Sequence, residues 1–215
     1  MKRDVAGVIG NHAGWLAMLC CAAAAIGFGA ALDGYSQARH PLALLGARGS
    51  PHALAFNLSG FVLPGLLAAV AATRLRDRLP DAAGWLARVS ARLLLLSALA
   101  FAAQGLWPLD PGDLDGAASR RHATVWTLWW IAAAAGGVSI AAGLLSRPRW
   151  RVFACAALLA ATVIAASALA PPATWPAGIA PRIAFGAWLG LWPVAARAGA
   201  VRAVVPVSRQ DRKAA

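Results

Sequence analysis

Apolar residues fall into six long runs, at positions 12–32, 53–73, 90–108, 123–145, 151–171 and 182–200, with polar residues gathered between them. A bilayer core about 30 Å thick needs roughly 20 apolar residues per helical crossing, so each run has the length of one crossing. The runs are rich in Ala, Leu and Gly and lack the period-two alternation of a barrel strand, which predicts helices. A helix also satisfies its own backbone groups where lipid offers no partner. The expected fold is all-α: a polytopic membrane protein, a six-transmembrane-helix bundle forming one domain over residues 1–215, with a short basic tail at 201–215.

Composition agrees, because 60% hydrophobic and 13% charged residues lie outside the range of a soluble domain. A net charge of +12 would in a soluble protein suggest nucleic acid. Its distribution excludes that partner. Lys2, Arg3, the arginines at 74, 76, 78, 88 and 92, those at 147, 149 and 151, and the five basic residues from Arg197 to Lys213 all fall on one side of a six-span chain, 15 of the 20 in total. Only Arg39, Arg48, Arg120, Arg121 and Arg182 fall on the other. The positive-inside bias therefore places both termini in the cytoplasm and the protein in the bacterial cytoplasmic (inner) membrane, with inner arginines against anionic lipid head groups. The first run follows Lys2-Arg3, but Gly14–Leu32 exceeds a signal core of about 7–15 residues and reads as a retained span. Cys20, Cys21 and Cys155 all lie within spans and read as apolar fillers.

Finer features bear on packing. Gly10 and Gly14, and Gly186 and Gly190, have the four-residue spacing that lets helices approach. Pro64 and Pro193 should kink spans two and six, since each removes a backbone hydrogen bond and clashes with the preceding turn. Trp15, Trp85 and Trp150 on one side, and Trp107, Trp126 and Trp175 on the other, read as interfacial anchors. The inner connection from Arg74 to Arg92 alternates arginine with Leu75, Leu79, Trp85, Leu86 and Val89, which suits a short helix in the head-group plane.

Candidate chemistry concentrates on the outer side, which holds three of the four histidines and four of the eight aspartates. Asn57, Ser59, Gln104, His122, Thr124 and Thr127 all fall within about two turns of that surface, positioned to line one pocket. Asp110 with His122 has the composition of an acid–base pair, a carboxylate orienting an imidazole. An Asp and a His in one polar loop are more often simply solvated. Arg39, His40, Arg48 and Arg121, with Asn57, Ser59 and Gln104, form a candidate binding set for a phosphate or carboxylate head group. Asp110, Asp113 and Asp115 lack the remaining ligands of a calcium loop, and no metal site is assigned. The histidines lack the spacing to ligate heme, and no cofactor is expected.

Leu45-Gly46, Pro51 and Phe56-Asn57 before span two, with Pro108, Asp110 and His122 between spans three and four, resemble the bacterial integral-membrane family catalogued as domain of unknown function 998. The resemblance covers most of residues 12–200, with Trp107 departing from the Phe expected there. It implies six spans and a polar outer face, and supplies no activity. Two functional classes follow. One is a membrane component whose outer mouth binds a lipid, a small amphiphile, a membrane protein partner or a second copy of the chain. The other is an integral-membrane hydrolase or transferase acting on a lipid head group through Asp110 and His122. A transporter is disfavoured because no charged residue sits mid-span.

Overall fold

The computed structural model describes residues 5–198, without the side chains of 5–9 and 11, so the basic tail expected at 201–215 lies outside the described residues. Six helices are long and apolar enough to cross a membrane. They are α1 (Val5–Ala31), α2 (Ala53–Arg78), α3 (Gly84–Leu106), α4 (Ala117–Leu144), α5 (Arg151–Leu169) and α6 (Ile179–Arg197). There is no strand among the described residues, and the chain is a multi-pass membrane protein.

Each helix packs against the next in sequence, and α6 closes the ring by packing on α1. Small residues set the seams, since lipid tails are as apolar as Leu and association depends on close packing. A methyl group on Gly14 would lie 2.7 Å from the Trp192 backbone, one on Gly65 2.5 Å from the Ala102 amide, and one on Gly137 2.8 Å from the Ala157 carbonyl. Gly186 and Gly190 behave differently. Nothing lies within 4 Å of the space a side chain would take there, so their spacing marks an open face of α6 and not a seam.

The centre is aromatic. Phe61, Phe101, Trp129, Phe185 and Trp188 are almost wholly buried and in ring contact, with Phe101 and Trp188 stacked at 4.8 Å and Trp129 4.7 Å from Phe185. The Trp188 indole N–H donates to Ser97 Oγ at 3.1 Å, and Ser97 donates on to the Leu94 carbonyl at 2.7 Å. Trp150 is buried against Phe153 and serves as core, whereas Trp85, Trp107 and Trp175 keep the exposed anchor positions expected of them.

Pro64 perturbs α2 through a six-residue π-helical stretch, Asn57–Val62, in which the Leu63 amide reaches back five residues to the Leu58 carbonyl. Proline cannot donate to the carbonyl four residues earlier, and the widened turn rearranges that donor pattern. The head-group-plane helix expected between Arg74 and Arg92 is absent. Instead α2 runs on to Arg78, Leu79-Pro80 and a short 3₁₀ turn at Asp81–Ala83 reverse the chain, and α3 begins at Gly84. Long arginine stems can lie along apolar surface with their charge in water, so helices continue past the end of the apolar window.

The described chain starts and ends at one face of the bundle, the terminal face. There Arg78 donates to the Ala196 carbonyl and Arg197 lies 5.7 Å over Trp15. The 1–2, 3–4 and 5–6 connections share the opposite, loop face.

Candidate binding site

Polar residues of the loop face spend most of their hydrogen bonds fastening the connections together. A 3₁₀ turn, Leu42–Gly46, folds against the start of α2, where the buried Asn57 amide donates to the Gly46 carbonyl at 2.9 Å. A methyl group at 46 would collide with the Asn57 carboxamide and displace it from this contact. The Arg48 amide donates to the Leu109 carbonyl at 2.8 Å, and the Arg48 guanidinium lies 3.6 Å from the Asp110 carboxylate. Asp110 also accepts from the Gly112 amide, while Ser119 Oγ binds the Asp110 and Asp113 backbone and anchors that turn to α4.

His122 is buried and its Nδ1 lies 2.9 Å from the Trp107 carbonyl. A carbonyl only accepts, so Nδ1 carries the proton and donates, pinning α4 to the exit of α3. Asp110 and His122 thus engage different partners, and no hydrogen bond joins them. His40 Nδ1 accepts from the Ser36 amide at 3.0 Å, closing its own turn. Ser59 donates to the Ala55 carbonyl within its helix. Gln104 is buried with no partner for its Nε2, while Arg39, Arg121, Thr124 and Thr127 are exposed. The expected set is therefore divided between interior staples and the loop surface.

A residue outside that set organises the other half of this face. Arg182, at the start of α6, donates from Nη1 to the carbonyls of His40 at 2.7 Å and Gly178 at 2.8 Å. Its Nη2 donates to Gln37 Oε1 at 2.9 Å and to the Tyr35 hydroxyl, and its Nε to Gln37 Oε1 at 3.2 Å. The Gly178 amide bonds the Ala38 carbonyl beside it. Burial raises the Tyr35 phenol above its ordinary pKa, against the pull of the Arg182 charge and hydrogen bond, so it remains protonated at neutral pH and donates to the Pro41 carbonyl. All of Arg182's partners are neutral, and it forms no ion pair with a described residue.

Below Arg182 a groove of about 380 Å³ runs along the seam between α1 and α6. Its walls are apolar, among them Met18, Ile26, Leu42, Phe185 and Leu189, and only Gln37 and Arg182 are polar, at its loop-face end. Exposed Ala22, Ile26 and Gly186 leave it open along the side of the bundle.

The motif residues named above hold this loop architecture together, and a family model described as protein of unknown function (DUF998) matches residues 15–201. The chain belongs to the DUF998 family. No curated protein and no solved structure matches it. For this DUF998 chain, the motif residues Gly46 and Asn57 form one contact, His122 pins the start of the 3–4 connection to α4, and Asp110 pairs that connection with Arg48 of the 1–2 connection. Among the described residues no group of three or more His, Cys, Asp or Glu side chains is placed to hold a metal. Arg182 was marked in sequence only by its isolation: a lone arginine entering an apolar run with no acidic residue nearby. Its convergence with Tyr35 and Gln37 spans about 145 positions of chain, which no local pattern encodes.

Proposed function

We propose that this protein is a multi-pass component of the bacterial cytoplasmic membrane that binds an anionic amphiphile. The acyl chain lies in the α1/α6 groove and the head group rests at the loop face, which the arginine distribution puts outside the cytoplasm. The observation that carries this reading is a wholly apolar trough ending at a cation that no described carboxylate neutralises. Its volume falls within the roughly 300–1,000 Å³ range of small-molecule sites. Arg182's donors are engaged, so it contributes field more than hydrogen bonds, and exposed Arg39 on the neighbouring turn is available for direct contact. No observation favours turnover, and the reading is one of binding.

Gly186→Leu tests it, since Gly186 lines the groove and nothing lies within 4 Å of the Cβ that the substitution adds. Lipid extracted from the purified protein and quantified by mass spectrometry should show an anionic species that the variant loses, while the two proteins, once delipidated, unfold at the same temperature. An identical lipid complement in both proteins overturns the reading.

A further inference from the structure

The terminal face carries a second concavity, about 560 Å³, between the 2–3 and 4–5 connections. Arg78 from the end of α2 and Arg147 and Arg149 from the turn before α5 line it, with Ser146, Pro148 and Trp150. No carboxylate of a described residue lines it. The two acidic residues of the 2–3 connection point to other cations, Asp77 to Arg76 at 3.1 Å and Asp81 to Arg88 at 3.9 Å. Two of the three arginine side chains are held in place by their surroundings. Arg78 is tethered to the Ala196 carbonyl, and Arg147 donates to the Ala82 carbonyl and so ties the two connections to each other. Arg149 sits in a 3₁₀ turn, Pro148–Trp150, fixed by a proline at one end and a buried indole at the other. It makes no hydrogen bond or ion pair with a described residue.

The geometry points to a phosphate-binding site at this cleft, for a phosphomonoester carried either on a lipid head group or on a soluble molecule. Guanidinium groups match phosphate oxygens in pairs, and a doubly charged phosphate suits a concavity to which Arg147 and Arg149 are both presented. Ser146 adds a hydroxyl donor at the rim. A merely solvated basic face has its cations dispersed and interchangeable. Here cations from two separate connections converge on one volume, while Arg92 lines a different depression with Asp77 and Asp81. The cleft lies at the opposite face from the α1/α6 groove and stands whether or not that groove binds an amphiphile.

The full chain is reconstituted in phosphatidylcholine nanodiscs, and thermal unfolding and native mass spectrometry are followed as phosphatidic acid or, separately, inorganic phosphate is added. Saturable stabilisation by phosphatidic acid alone assigns the site to a lipid phosphate, and by inorganic phosphate, with or without the lipid, to a soluble one. Either way Arg149→Gln should weaken binding by about tenfold or more, the loss of one charge-assisted contact. Arg92→Gln should leave it within about twofold, as expected where nearby charges of the same face are not equivalent. Neither ligand saturating, or the two variants weakening binding equally, overturns the site.

Discussion

At the scale of single residues, the loop face is governed by fit. Asn57 reaches the Gly46 carbonyl only because position 46 carries no side chain. Gly46→Ala should therefore force apart two segments that are both buried, at a cost of about 1–3 kcal/mol, measured as a shift in denaturant unfolding in detergent micelles. The ordinary outcome of an exposed Gly→Ala change, a small gain, would show that the contact does not hold the turn. Residue types and side were legible in the sequence: Asn57, Asp110 and His122 do gather at one membrane face. Their partners were not, because Asn57 bonds a backbone carbonyl 11 residues away and His122 one 15 residues away. A backbone acceptor has no residue identity to recognise. A sequence pattern suggests pairs of side chains, and here most of the polar side chains are spent on the main chain.

At the scale of elements, apolar runs located the six helices correctly while misplacing their ends. α3 begins at Gly84 where the apolar run begins near 90, and α4 at Ala117 where it begins near 123, because Arg88, Arg120 and Arg121 ride on helix ends. Hydropathy reports the solvent around a residue, whereas the helix stops where turn residues such as Pro80 and Gly116 intervene. Glycine spacing was similarly blind to direction, as Gly14 and Gly186 show. The contrast gives a paired prediction. Gly137→Leu would drive a side chain into the Ala157 carbonyl and the Ala161 methyl across the α4–α5 seam and should cost at least about 2 kcal/mol. Gly186→Leu, on the open face of α6, should change stability by no more than about 0.5 kcal/mol in the same unfolding assay. Equal losses at both positions would mean that α6 is covered there by another part of the assembly.

At the scale of the whole molecule, ring closure depends on joining the first helix to the last, and α1 and α6 are separated by the entire chain. The two helices meet closely where Gly14 packs on the Trp192 backbone, and the groove interrupts the seam toward the loop face. Arg182 supplies the remainder by gripping the 1–2 connection through Tyr35, Gln37 and the His40 carbonyl while Gln37 itself donates to the Ala25 carbonyl of α1 at 2.7 Å. The chain of contacts α6–Arg182–Gln37–α1 is thus a strap across the groove mouth. Hydrogen bonds from a charged donor contribute about 1.5–3 kcal/mol each before exposure is discounted, so Arg182→Gln should lower stability by at least about 2 kcal/mol. If the strap works as one unit, Gln37→Ala should cost less, and the double variant should fall short of the sum of the two by about 1 kcal/mol, because removing either residue already slackens the link. A double-mutant cycle by thermal unfolding in micelles measures this directly. Strict additivity would mean that Arg182 holds the 1–2 connection through the His40 carbonyl and Tyr35 alone, and that the groove mouth is fastened on the α6 side only.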